Sequence, residues 1–140
     1  MSRFLKTALC VLAVMAMSGN RGEAQAPESA LMVRIAEIEV DARFAKEYAA
    51  ALTEEADTSV RLEPGVIAIF PMHQWQEPTL IRILEMYADR AAYDSHLKSP
   101  HFLKYKATTL KMVKSLKLVE MQALDTNAMT QVFAKLVHAR

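Results

Sequence analysis

Imidazole is the side chain that exchanges a proton readily near neutral pH, so the four histidines of this 140-residue chain are the first places to look for chemistry. Two of them, His96 and His101, stand five residues apart across Ser99-Pro100; His96 is a candidate catalytic group and His101 a candidate substrate-binding one. His96 is the stronger candidate for a general base. Its structural alternative is a ring that pins a short helix by bonding a backbone carbonyl, and for His101 the alternative is a local bond just after a helix start. Glu85 lies in an otherwise apolar run with Tyr87 two residues later, so in a strand both point to one face. A carboxylate there needs a partner, because burying it bare is very costly. It can orient His96 or accept from a bound hydroxyl; the alternative is an ion pair with Arg82 or a helix lysine. Tyr87, Tyr93 and Phe102 are candidate pocket linings or plain core aromatics, and Trp75 with His73 is a candidate pocket rim or a surface turn. Metal binding has weak support, since a five-residue step is not the i, i+4 spacing of helical zinc pairs. No Gly-x-Ser-x-Gly occurs, and three glycines are too few for a phosphate cradle.

These residues need elements to hold them, and the sequence predicts an α+β chain. Met32 to Val40 is rich in branched residues and too short for a typical helix, which makes it a first strand. Asp41 is a helix N-cap, and from Ala42 the apolar residues Phe44, Tyr48 and Leu52 recur at helical spacing. Glu63-Pro64-Gly65 ends that helix. Gly65 to Gln74 reads as a second strand, apolar enough to be covered on both faces, with Pro71 indicating a bulge or an edge. Trp75 to Pro78 is a hairpin connection and Thr79 to Tyr87 a third strand. Asp89 caps a short helix over 90–97. Ser99-Pro100 starts another, which is expected to run to Lys114 before a fourth strand from Leu116 to Ala123. The order β-α-β-β-α-β leaves one sheet face uncovered by helices. Ile67, Ile69, Leu84, Met86, Leu118 and Met121 include candidates for that face, and an apolar patch of this kind marks an interface. A homodimer packed sheet against sheet is therefore expected. Met129, Val132, Phe133, Leu136 and Val137 then form an apolar helical stripe in the tail, 124–140, which would dock on its own domain or on a partner.

The first 26 residues have the form of an export signal: Arg3 and Lys6, an apolar run from Thr7 to Met17, and Ala24-Gln25-Ala26 as a small-x-small cleavage site. Eleven apolar residues fall short of the roughly 20 that span a bilayer. A cleaved, periplasmic or secreted protein is expected, with 27–31 as a flexible lead-in and no membrane association afterwards. Cys10 is the only cysteine, so cleavage would remove disulfides, thiolate metal sites and cysteine nucleophiles together. Three of the 17 basic and one of the 16 acidic residues lie in that segment, which leaves the remainder at −1. Such a domain lacks the electrostatic footprint of a nucleic-acid binder. The Lys104-Lys106-Lys111-Lys114-Lys117 stretch reads as a solvated helix face.

Residues 32–123 resemble a known family. Glu63-Pro64-Gly65, then Glu85-Met86-Tyr87-Ala88-Asp89-Arg90-Ala91-Ala92-Tyr93, then His96-Leu97-Lys98-Ser99-Pro100-His101-Phe102 are similar, in order and spacing, to the signature of antibiotic biosynthesis monooxygenase domains. The resemblance implies a ferredoxin-like α+β fold, a dimeric α+β barrel, and a pocket between sheet and helices. It also implies oxidation of quinols, polyphenols or polycyclic aromatic compounds by molecular oxygen, with no cofactor, neither metal nor flavin. Tyr87 stands where the family often has tryptophan, which implies a smaller or more polar pocket. A related haem-degrading branch uses a first-strand asparagine, which this chain lacks, and the comparable helix positions here are His96 and Lys106.

On that reading His96 removes the proton of a phenol, making it electron-rich enough to reduce oxygen. Two alternatives use the same pocket: a non-catalytic dimer that binds an aromatic or lipid-like ligand, and an isomerase that needs no oxygen.

Overall fold

The computed structural model describes residues 31–138. The expected export signal and all of the lead-in but Leu31 lie outside the described residues. The elements are β1 (Met32–Val40), α1 (Ala45–Leu62), β2 (Val66–His73), β3 (Leu80–Tyr87), α2 (Arg90–His96), α3 (Pro100–Thr109), β4 (Val113–Met121) and α4 (Asn127–His138), with 3₁₀ turns at Ala42–Phe44 and Leu110–Met112. One sheet has the order β2-β3-β1-β4 with every neighbouring pair antiparallel. This is the expected ferredoxin-like α+β arrangement, with the sheet open rather than closed on itself. No helix among the described residues is long and apolar enough to cross a membrane.

Alternation in β1 sets the two faces. Arg34, Ala36, Ile38 and Val40 are buried while the residues between them are half-buried. Directly paired residues share a face, so Glu85, Ile83 and Ile81 of β3 and Glu120, Leu118 and Leu116 of β4 join that side. Tyr48, Leu52 and Ala56, one turn apart along α1, pack on Ala36, Ile38, Val40, Ile81 and Ile83 to form the core. The other face carries Leu84 and Met86 of β3, opposite Phe70 and Ala68 of β2, together with Met121 of β4.

Several expectations need correcting. Ile69 and Leu118 belong to the helix side, not the open face. β2 is an edge strand covered on one side only, since Phe70 is 58% and Met72 41% exposed. Pro71 is tolerated there because an edge strand can do without one donor, and the register shift lies at Val66/Ala68 instead. α3 stops at Thr109, five residues earlier than periodicity predicts. The hydroxyls of Thr108 and Thr109 bond back to the carbonyls of Lys104 and Tyr105, which weakens helix continuation. β4 consequently starts at Val113, and the lysine stretch is divided among helix, turn and strand. In α4, Val132, Phe133, Leu136 and Val137 are all exposed, so the helix does not bury its stripe on its own domain.

Asp89 and Ser99 cap α2 and α3 as their sequence signals indicate, whereas Asp41 caps the 3₁₀ turn ahead of α1, whose own N-cap residue, Phe44, makes no side-chain capping bond. Asp41 accepts from Arg43 N at 2.9 Å, Asp89 from Ala92 N at 2.8 Å, and Ser99 from Phe102 N at 3.4 Å. Gly65 has a packing reason: a Cβ there would lie 2.5 Å from Ala92 Cβ. Only the missing side chain lets β2 start against α2.

Candidate active site

Between the sheet and the helices lies a cavity of about 400 Å³, within the range of small-molecule sites. The sheet contributes Arg34, Ala36, Ile38, Ile83, Glu85 and Tyr87, and α1 contributes Tyr48, Leu52 and Glu55. Tyr93 and His96 come from α2, and Phe102 and Tyr105 from α3. Leu110, Leu116 and Leu118 also line it and are 71%, 57% and 47% exposed, so the cavity meets solvent along β4.

His96 is 2% exposed and sits between two aromatic rings, with Phe102 at 4.7 Å and Tyr87 at 5.5 Å between centroids. Its Nδ1 is 2.9 Å from Glu63 Oε1, and His101 Nε2 is 2.6 Å from the same oxygen. Burial works against the charge of Glu63, but these two imidazoles hold its carboxyl below the usual value. An ionised carboxylate only accepts, so both of those nitrogens carry hydrogen. That assignment leaves the other nitrogen of a neutral His96 ring, Nε2, with a free lone pair. It lies 3.7 Å from Glu55 Oε1. Glu55 accepts from Ser59 Oγ at 2.6 Å, and burial, partly offset by that bond and by the histidines, raises its carboxyl above the usual range. Burial thereby shifts Glu55 toward its neutral form where it faces His96 Nε2.

The remaining polar groups each have a definite place. Burial raises Glu85, against the pull of nearby Arg34, and the carboxylate accepts from Tyr87 Oη at 3.3 Å. Burial, with Glu85 beside it, also raises the Tyr87 phenol, so it stays protonated and can act as a donor. The hydroxyls of Tyr48 and Tyr105 meet at 2.5 Å, both with pKa values raised by burial. Arg34 is only 5% exposed; its Nη2 donates to Glu120 Oε1 at 3.3 Å and its guanidinium lies 4.3 Å over the Tyr93 ring. Its buried Nε has no hydrogen-bond partner among the described residues. An unmet buried donor of this kind costs about 1–3 kcal/mol.

His96, Glu85, Tyr87, Tyr93 and Phe102 therefore do converge on one cavity, as the sequence predicts. Three assignments change. Glu63, not Glu85, orients His96, and Glu85 pairs with neither Arg82 nor a lysine. His101 does not line the cavity but supports His96 through Glu63. Trp75 is 91% exposed on the hairpin and takes no part, and neighbouring His73 bonds the carbonyl of Gln74. Glu63, Glu55 and Arg34 were missed. Glu63 stands in the Glu-Pro-Gly signature, where its local signal is that of a helix end. Arg34 shares the parity of Ala36, Ile38 and Val40, which was the available sign that it points inward. The folded chain also brings one ligand atom each from Glu55, His96 and His101 within 4.8 Å of one another. Spacing along the sequence argues against metal, and the third potential ligand comes from α1, far from the histidines in sequence. Two of the imidazole nitrogens are, however, already committed to Glu63.

A ferredoxin-like α+β domain with an imidazole and carboxylates on an aromatic-lined cavity is the frame of a small-molecule protein. Residues 31–108 match the model of the family described as antibiotic biosynthesis monooxygenase, and the chain belongs to that family. A structure from Bacteroides thetaiotaomicron, classed with the antibiotic biosynthesis monooxygenases, is 43% identical. It covers 71% of this chain and 94% of its own with a TM-score of 0.68. One from Lactobacillus acidophilus, classed as a monooxygenase, is 30% identical at a TM-score of 0.65, covering 70% of this chain and 46% of its own. A Nitrosomonas europaea structure at 22% identity and a TM-score of 0.65, covering 69% and 92%, adds support for the fold alone. No curated protein matches the chain.

Proposed function

We propose that the protein is a monooxygenase that oxidises a quinol, polyphenol or polycyclic aromatic compound with molecular oxygen, using its own side chains and neither metal nor flavin. The observation that carries this is His96, whose Nδ1 is fixed by Glu63 so that Nε2 is the basic atom beside Glu55 on an aromatic-lined cavity. Nε2 takes the proton of the substrate hydroxyl, and Glu63 stabilises the resulting imidazolium. The phenolate passes one electron to oxygen, and the phenoxyl radical and superoxide combine at a ring carbon. The peroxide takes the proton back from His96, and loss of the ring C–H proton with cleavage of the O–O bond releases water. One oxygen atom ends in the quinone and the other in water.

Oxygen consumption with a panel of catechols, hydroquinones and anthrones tests the reading, with His96→Ala as control. Turnover is expected with at least one class and a loss of a hundredfold or more in the variant, roughly the contribution of a positioned base. Turnover that continues without oxygen would instead select an isomerase, and binding without turnover a ligand-carrying protein. We also infer export with cleavage near Pro27, which the mass of the protein recovered from the periplasm or medium would reveal.

A further inference from the structure

Arg34 is a charged group of the cavity to which this mechanism gives no task. It is nearly fully buried, it lines the cavity, and its guanidinium bonds Glu120 through Nη2 at 3.3 Å. Its position relative to His96 is defined by aromatic rings. The guanidinium lies over Tyr93, the rings of Tyr93 and Tyr87 meet edge-on at 5.2 Å, and Tyr87 lies beside His96. The chain of rings from guanidinium to imidazole runs through Tyr93 and Tyr87, so the two polar groups address different positions of one guest.

The charge around Arg34 limits what it can take. Glu120 already pairs with it, and Glu85 is its direct partner across the β1–β3 ladder. A second full negative charge would meet these carboxylates, whereas a carbonyl or hydroxyl oxygen needs only a donor. We propose that Arg34 forms a second polar subsite, which binds a neutral carbonyl or hydroxyl oxygen of the aromatic guest away from the hydroxyl presented to His96. This rests on the reading of the cavity as a site for aromatic phenols, and it makes the protein selective for guests carrying two oxygens at separate ring positions.

Equilibrium binding separates the two claims, because it requires no turnover. The probes are 4-hydroxyacetophenone and 4-ethylphenol, which match in shape and differ in the carbonyl oxygen. Isothermal titration of the full chain should show the ketone bound about tenfold more tightly, the order expected for one hydrogen bond to a charged donor. Arg34→Met, checked for folding by circular dichroism, should abolish that preference and leave 4-ethylphenol affinity unchanged. Should the methionine variant not fold, Arg34→Lys keeps the charge without the planar fork and should reduce the preference to about threefold. Equal affinities in the unaltered protein overturn the subsite while leaving the aromatic cavity standing. So does a preference that survives substitution, or a parallel loss of both probes. If neither probe binds, the aromatic reading falls as well.

Discussion

Glu55 and Glu63 lie against the two nitrogens of His96, and their environments drive them in opposite directions. Glu63 has a lowered pKa because two imidazoles donate to it, so its contribution to stability is present above its unfolded value, about 4.3, and is lost as pH falls through the folded value. Glu55 has a raised pKa because burial penalises its charge, so its favourable contribution is complete below about 4.3 and disappears as pH rises through the folded value. Urea unfolding across pH should therefore separate Glu63→Gln from Glu55→Gln. The first should lose about 1–2 kcal/mol at pH 7, the scale of charge-assisted hydrogen bonds, and converge with the unaltered protein in acid. The second should be at least as stable as the unaltered protein at pH 8 and lose that advantage below pH 4.5. Glu63→Gln more stable than the parent at neutral pH would contradict the orienting role.

At the scale of elements, most of the topology was legible because each boundary carries a chemical signal: Asp41, Asp89 and Ser99 at helix starts, Pro64 and Gly65 at a helix end. The exception was the end of α3, where threonine hydroxyls compete for helix carbonyls and apolar periodicity continues past the true boundary. The candidate site was half legible. The family signature marks several of its residues, whereas strand parity is the one local sign for Arg34, and Glu55 reaches the cavity through the packing of α1. Gly65 tests one such packing contact. Gly65→Ala would drive a methyl group into Ala92, and overpacking of this kind costs about 1–3 kcal/mol. The change should lower the thermal midpoint, and the paired substitution Gly65→Ala with Ala92→Gly should recover much of it. Full stability of the single variant would show that α2 yields freely.

For the whole molecule, the open sheet face presents Phe70, Met72 and Met121, at 58%, 41% and 48% exposure. We infer that a second copy covers it. Sedimentation equilibrium should give twice the chain mass, and Phe70→Glu should reduce it to one chain with an unchanged far-ultraviolet spectrum, because a charge would face an apolar surface. A monomer at every concentration would eliminate this assembly.

Glu63 ends α1 and from there reaches the imidazole on the cavity. One oxygen atom accepts from a ring on α2 and from a ring on α3, and the chain bends between those helices at Ser99-Pro100. The bend is therefore stapled by a proton-bearing joint, and the tilt of the buried His96 ring is tied to both helices at once.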